Sequence, residues 1–199
     1  MGLQKLLNRC GTLDDDDLGI SSSIGSGSMA SHFMSAFASD AVSQFAVFFS
    51  ALVHDLKHEG VSSRQLSNLH PTLCEEYNYE SVAEQNSITV AWEMLMDPSF
   101  KDLQQCLFAS EEDLLRFRQL LVNCVLATDL SNAKALALRN QRWDKAFQSK
   151  DVDPDFKATA VLEACIQVSD ISHIMQHWKV FLKWNERVSM VEYGLDLQK

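Results

Sequence analysis

The chain has 199 residues and a formal net charge of −10, because 27 Asp and Glu residues outnumber 17 Lys and Arg residues. Hydrophobic residues make up 46% and charged residues 22%, which is typical of a folded domain and excludes a disordered chain. The acidic balance argues against nucleic acid as a partner, because phosphate binding depends on clustered Lys and Arg. The longest strongly apolar run, 45–53, is too short for a membrane span of roughly 20 residues, so none is expected in this chain.

The five cysteines include no Cys-x-x-Cys pair. This spacing favours free thiols in a reducing compartment over a disulfide framework or a zinc ribbon. The first residues lack the apolar core of a signal peptide. Together these features predict an intracellular protein, in the cytoplasm or on the cytoplasmic side of a larger membrane protein.

Composition divides the chain into two segments. Residues 1–39 hold five of the seven glycines, the acidic run Asp14–Asp17 and a Ser/Gly-rich stretch at 21–28. Such a segment buries little apolar surface, so we predict that 1–39 is flexible and solvated. The remainder, 40–199, is nearly free of glycine, and its prolines lie where apolar periodicity breaks, which predicts an all-α domain.

Apolar periodicity and capping residues predict six helices in this second segment. They run over about 40–58, 81–96, 110–128, 134–147, 155–170 and 176–191. Asp40 is a candidate N-cap of the first helix, which is apolar on every side and is therefore predicted to be buried all round. Ser81 and Glu84 have the form of a capping box, and Ser110 precedes three acids that favour a helix start.

The motif His54-Asp55-Leu56-Lys57-His58 is the sharpest candidate site. On a helix, His54 and His58 share a face, and Asp55 lies about 100° round it. Buried polar groups must be paired or bound to metal, so this motif indicates a metal site if it is buried. If it is instead the last, solvated turn before Gly60, it has no such role, and spacing alone leaves both interpretations open.

A second candidate cluster has helical spacing near the C-terminus. Asp170, His173 and His177 would lie on one helical face, which by itself is also a common surface pattern. Taken with the first motif, two helices would offer imidazole and carboxylate ligands, which suit zinc, while carboxylate and water suit magnesium. The remaining candidates, namely the cysteines and the tryptophans at 92, 143, 178 and 184, are interpreted as core residues.

Four motifs resemble those of the class I 3′,5′-cyclic nucleotide phosphodiesterases, in the same order. They are ALVHDLKHEGVSS (Ala51–Ser63), YNYESVAEQNS (Tyr77–Ser87), LATDLS (Leu126–Ser131) and SDISHIMQHW (Ser169–Trp178). The resemblance covers about 40–193. It implies a compact all-helical bundle of the HD-type phosphodiesterase kind, and hydrolysis of cAMP or cGMP to the 5′-monophosphate by attack of water on the cyclic phosphodiester.

The resemblance also implies roles for individual residues. Two divalent ions, usually zinc and magnesium, would be bound by His54, Asp55 and Asp170. The residues that would hold metal-bound waters are His58, Glu84, Thr128 and Asp129. The expected substrate-pocket residues are Leu130 and His173, and for Glu84 a purely capping role also remains open.

Departures from the family pattern leave an alternative. The upstream His-Asn-x-x-His-Ala motif, which supplies the general-acid histidine and a further ligand, is not found, so no catalytic acid is identified and we expect an incomplete domain. Lys57 replaces the usual acid of the His-Asp motif and is expected to face solvent; Asn86 and Ser87 replace a His-His pair. The alternative is a degenerate or truncated helical domain that acts by binding or dimerisation. A second copy of the chain is a candidate partner, forming a homodimer.

Overall fold

The computed structural model describes residue 37 and residues 40–148 and 152–193. Within these residues the structure is helical without strands, which confirms the predicted all-α class. The α-helices are α1 (Ala41–Val53), α2 (Ser63–Leu69), α3 (Pro71–Glu76), α4 (Val82–Leu95), α5 (Lys101–Leu107), α6 (Glu111–Leu126), α7 (Ala133–Gln148), α8 (Pro154–Asp170) and α9 (Trp178–Tyr193). Short 3-10 helices cover Pro98–Phe100 and Ile171–Met175. The predicted flexible segment 1–39 lies outside the described residues except at its residue 37.

Side-chain caps begin several of these helices where the sequence predicts them. The carboxylate of Asp40 accepts a 3.2 Å hydrogen bond from the Ser43 amide at the start of α1. Ser110 and Asp113 form a reciprocal capping box at the start of α6, with donor–acceptor distances of 3.1 Å in both directions. Each cap satisfies amide groups that the first helical turn leaves without an intrahelical partner.

The hydrophobic core is organised around α6, which packs against α1, α4 and α8. Phe117 of α6 is fully buried, and its ring lies 5.4 Å from Phe45 and 5.7 Å from Phe49, both on α1. The ring of Phe108 lies 5.1 Å from the ring of Phe117. Offset and tilted aromatic pairs at these distances add stabilisation to the apolar burial.

The structure corrects the prediction for the first helix. Helix α1 ends at Val53 rather than near His58, and residues 54–57 form turns that lead to Gly60 at φ +68°. The helix is also not buried all round, because Phe48 is 40% exposed and Leu52 is 80% exposed. An all-round apolar sequence does not reveal which face of the helix is covered. Among the described helices, α4, α6 and α8 make the main contacts with α1.

Several residues that were predicted to lie in the core are exposed. Trp143, Trp178 and Trp184 are between 43% and 63% exposed, and Cys106 is exposed. Cys74 and Cys124 are free and buried, as predicted, and Cys165 is also buried.

The connecting segments contain structure that the sequence pattern did not reveal. Helices α2, α3 and α5 have six or seven residues each, which is too short for a clear apolar period. The 3-10 helix after Asp170 breaks the expected continuous face of Asp170, His173 and His177, because α8 ends at Asp170 and α9 begins at Trp178.

Among the described helices, none combines the length and apolarity that a bilayer crossing requires.

Candidate metal centre

The His54 side chain is held at the end of α1 by its own helix. Its Nδ1 lies 3.0 Å from the carbonyl oxygen of Ala51. Because a carbonyl can only accept a hydrogen bond, Nδ1 carries a proton, and the second ring nitrogen, Nε2, is left to meet other groups. The helix end therefore fixes both the orientation of the ring and the atom that can act as a ligand.

Two carboxylates converge on Nε2 of His54. Asp55 Oδ2 and Asp170 Oδ1 each lie 3.4 Å from this nitrogen. Nε2 is buried, and among the described residues it has no partner in hydrogen-bond geometry, so the two carboxylates lie close to it without an aligned hydrogen bond. The turn after α1 and the last residue of α8 thus meet at one imidazole, although they are far apart in the chain.

The charges at this imidazole favour a positive species on Nε2. The contact with Asp170 raises the pKa of His54 to about 9, with a further contribution from Asp55 and against the opposing effect of burial. A bare lone pair on Nε2 between two carboxylates would be repelled by both. The position therefore takes either a proton or a metal cation.

The donor set at His54 matches in part the divalent ion that the resemblance implies. Two ligands of a tetrahedral zinc site, each about 2.0–2.1 Å from the metal, lie roughly 3.4 Å apart, which matches both separations at His54. One imidazole with two carboxylates also has suitable chemistry for a divalent ion. However, in the part of the chain that the structure describes, no three His, Cys, Asp or Glu side chains are grouped closely enough to hold a metal ion together. The donors fit pairwise and do not form a closed coordination shell.

Glu84 lies near this cluster on the first turn of α4. It is half-buried, and burial together with the charge of Asp129 and then Asp55 raises its pKa to about 7. The positive charge of His54 acts in the opposite direction. Glu84 is therefore a carboxyl group that can hold or release a proton near neutral pH.

Asp129 is buried, at 4% exposure, and is fully hydrogen-bonded. Its Oδ1 accepts from the Ser131 amide at 2.8 Å, the Ser131 hydroxyl at 2.7 Å and the Asn132 amide at 3.1 Å. Its Oδ2 accepts from the Ser81 hydroxyl at 2.6 Å. Burial alone would raise the pKa of Asp129, but these hydrogen bonds lower it below its ordinary value, so the group is a fixed anion.

The bond from Ser81 overturns the predicted capping box. Ser81 has a left-handed backbone, at φ 45° and ψ 45°, and makes no side-chain cap bond to α4. Its hydroxyl is directed to Asp129 instead. Local spacing suggested a cap, whereas the hydrogen bond that forms is tertiary.

The other predicted site residues are less closely gathered. His58 is exposed, and its Nδ1 accepts a 3.0 Å hydrogen bond from the Gly60 amide. The Thr128 hydroxyl donates to the Val125 carbonyl at 2.8 Å, and Leu130 is 48% exposed. The side chain of His173 lies outside the described part of the chain.

Lys57 faces solvent, as predicted, with a left-handed backbone at φ 61°.

Sequence reasoning missed one contributor to the site, the fully buried Ser87. Its hydroxyl donates to the Leu56 carbonyl at 2.9 Å, next to the His54–Asp55 turn. The signal that could have revealed it is the regular spacing of Ser81, Glu84 and Ser87 along one helix.

Comparison with known proteins identifies relatives of this chain. The family model described as 3′5′-cyclic nucleotide phosphodiesterase matches residues 27–193. The probable 3′,5′-cyclic-AMP phosphodiesterase pde-4 of Caenorhabditis elegans is 31% identical over 153 residues, which are 74% of this chain and 22% of that protein. The human dual specificity calcium/calmodulin-dependent 3′,5′-cyclic nucleotide phosphodiesterase 1C is 27% identical over 144 residues, 70% of this chain and 19% of that one.

Solved structures show the same fold. The structure of LmjPDEB1 in complex with IBMX has a TM-score of 0.63 and 25% identity, with 83% of this chain and 50% of that chain covered. The phosphodiesterase domain of the RhoPDE fusion protein from the choanoflagellate Salpingoeca rosetta also has a TM-score of 0.63, at 20% identity, over 83% of this chain and 52% of that one. The chain thus spans about a quarter or less of these curated relatives and about half of the solved domains. With most of its length matched by the family model, the chain belongs to the 3′,5′-cyclic nucleotide phosphodiesterase family.

Proposed function

We propose that this chain is part of a metal-dependent catalytic domain that hydrolyses 3′,5′-cyclic nucleotides to 5′-monophosphates. In this reaction a water oxygen bonds to phosphorus, the bond from phosphorus to the 3′ oxygen breaks, and the 3′ oxygen takes up a proton. The family match and the similarity to a probable 3′,5′-cyclic-AMP phosphodiesterase and to a dual specificity 3′,5′-cyclic nucleotide phosphodiesterase support this substrate class.

The single observation that carries the proposal is the position of His54 Nε2 between Asp55 and Asp170. These three residues would hold a divalent ion, zinc or magnesium by resemblance, if their side chains draw together around it, because they do not form a closed set of ligands among the described residues. Such ions, when bound, supply Lewis acidity: they lower the pKa of water and offset negative charge on a phosphate. A chain with a net charge of −10 could then receive an anionic substrate, because local ion charge governs the site.

The other residues have distinct proposed roles. Glu84, with its pKa near 7, can accept or release the proton of a water beside the centre. The hydrogen-bonded carboxylate of Asp129 supplies fixed negative charge next to Glu84. His58 and Thr128 remain proposed water-holding residues, and Leu130 and His173 remain proposed pocket residues.

The free, buried thiols of Cys74 and Cys124 support the further proposal of an intracellular location, since disulfides are rare in reducing compartments. A homodimer remains a proposal that the oligomeric state in solution would test.

Metal binding and hydrolysis in one protein preparation test this function. We expect calorimetric binding of Zn²⁺ or Mn²⁺ and slow conversion of cAMP or cGMP to the 5′-monophosphate, followed by phosphorus NMR. Asp55→Asn should weaken metal binding and abolish the conversion. Asp102→Asn, at an exposed acid in the first turn of α5, is the matched control and should change neither. Metal binding without any hydrolysis would favour the non-catalytic alternative, and the absence of both would refute the proposal.

A further inference from the structure

Helix α4 presents three polar residues at regular spacing near the candidate centre. Ser81 stands at its N-cap, Glu84 in its first turn, and Ser87 one turn further on. Glu84 and Ser87, three apart on the helix, lie about 60° apart around its axis, and Ser81 is the residue just before the helix begins. Both serine hydroxyls make hydrogen bonds beyond α4, and each reaches a different flank of the site.

At the N-terminal end, Ser81 reaches the turn that follows α6. Its hydroxyl donates to Asp129 Oδ2 at 2.6 Å and accepts from Asn132 Nδ2 at 3.3 Å. Ser81 adopts the left-handed region, at φ 45°, which is unfavourable for a residue with a Cβ atom. Such conformations persist where surrounding contacts hold them, and they concentrate at functional sites. Here the contact is the bond to a buried carboxylate.

At the other end, Ser87 reaches the turn that carries His54 and Asp55. Ser87 is fully buried, and its hydroxyl lies 2.9 Å from the Leu56 carbonyl and 3.0 Å from the Ala83 carbonyl. The bond to Leu56 fixes the backbone immediately after the two candidate ligands. Ser87 also stands where the resembling family carries a histidine, so this contact is a property of the present chain.

We propose that Ser81 and Ser87 are positioning residues that hold Glu84 between the Asp129 turn and the His54–Asp55 turn. This inference rests on the proposed function in that Glu84 serves the metal centre. The two hydroxyls fix α4 at both flanks of the site, and the carboxyl of Glu84 is held beside Asp55 and Asp129 as a result. Loss of either hydroxyl should disturb ion binding more than it disturbs folding.

The variants Ser81→Gly and Ser87→Ala test this inference in the whole chain. Glycine removes the hydroxyl while accepting the left-handed backbone without strain. Ser81→Asn tolerates this backbone and retains a donor for Asp129, so it serves as the rescue variant. Ser50→Ala is the control, because Ser50 is equally buried and donates to the Ala46 carbonyl of its own helix.

The readouts are the Kd for Mn²⁺ by calorimetry and the thermal unfolding midpoint. We expect Ser81→Gly and Ser87→Ala to raise the Kd about tenfold, as loss of groups that orient ligands commonly does. Ser81→Asn should restore the Kd, and Ser50→Ala should change the unfolding midpoint without changing the Kd. The inference is overturned if the two site variants keep the Kd within twofold, or if Ser50→Ala raises it equally.

A second measurement separates this inference from the proposed function. If the unaltered chain binds no Mn²⁺, the proposed function fails. The positioning contact is then tested by comparing the free energies of unfolding of Ser81→Gly, Asp129→Asn and the double variant in denaturant. Strongly non-additive effects would support the positioning contact between the two residues. Additive effects would overturn it.

Discussion

Arg142 Nη2 donates a 2.9 Å hydrogen bond to Glu163 Oε2, and this ion pair joins α7 to α8. The Glu163 side chain is only 5% exposed, whereas that of Arg142 is 40% exposed. Burial raises the pKa of Glu163 above its ordinary value, although Arg142 and Arg139 act in the opposite direction. The carboxylate therefore depends on its cationic partner to stay ionised inside the domain.

Replacement of Arg142 by methionine should destabilise the chain in a pH-dependent manner. Removing one partner of a buried pair commonly costs about 3–5 kcal/mol, and we expect about 2 kcal/mol at pH 7 because Arg142 is partly solvated. The folded state holds the Glu163 proton more tightly than the unfolded state, so stability falls as pH rises above the ordinary Glu pKa of about 4.3.

In urea unfolding, the loss of free energy of unfolding in Arg142→Met should therefore be small at pH 5 and reach its full value at pH 8. Lys134→Met is the control, because it removes an exposed ion pair with Glu80 and should cost less than about 0.5 kcal/mol. A deficit that is the same at both pH values would refute the role of Glu163.

Ser110→Ala should remove the capping box of α6. The Ser110 hydroxyl accepts from the Asp113 amide at 3.1 Å, and loss of an N-cap serine costs about 1 kcal/mol. Ser110→Asp, which preserves an acceptor, should recover most of this loss. Denaturant unfolding of both variants measures the effect, and equal stability of Ser110→Ala and the unaltered chain would contradict the assignment.

Truncation of Phe117 should distinguish the core from the exposed face of α1. Phe117→Ala removes a fully buried ring and should cost about 4 kcal/mol, whereas Phe117→Leu, which leaves a smaller cavity, should cost less than half as much. Leu52→Ala, at 80% exposure, should change stability by less than about 0.5 kcal/mol. A large loss at Leu52 in unfolding experiments would show that this face is covered in solution.

The missing general-acid motif leads to a prediction about leaving groups. Protonation of a leaving oxygen is typically worth roughly 10²–10⁴-fold in rate, so hydrolysis of cAMP by this chain should be very slow. Bis(p-nitrophenyl) phosphate releases an anion that leaves without a proton, and it should be hydrolysed at least about a hundredfold faster. Comparable rates for the two substrates, or rapid turnover of cAMP, would reveal an acid that the sequence does not identify.

The sequence predicted those elements whose signals are local. The start of α6 and the extents of α7 and α8 follow from caps and long apolar periods, and the structure has them within about two residues. The left-handed backbone of Ser81 could not be predicted in this way, because it accompanies a hydrogen bond to Asp129, 48 positions further along the chain. The early end of α1 at Val53 likewise coincides with turns at 54–57 that no periodicity marks.

The residues of the candidate site could be identified from the order of the motifs in the sequence. Their positions relative to one another follow from the fold. His54 and His58 do not share a helix face, because α1 ends between the apolar stretch and the motif. The proximity of Asp170 to His54 comes from the packing of α8 against α1, which spacing within either segment cannot express. The types of ligand could be inferred from the residue types, whereas the distances between the ligands depend on how the helices pack.

The proposed function requires one divalent ion to bind at His54 Nε2 together with Asp55 and Asp170. Anomalous diffraction from crystals of the chain saturated with Mn²⁺ tests it most directly. We expect a single strong peak in contact with these three side chains, which disappears in Asp170→Asn crystals. A peak bound elsewhere, or none at His54 under saturating Mn²⁺, would contradict it.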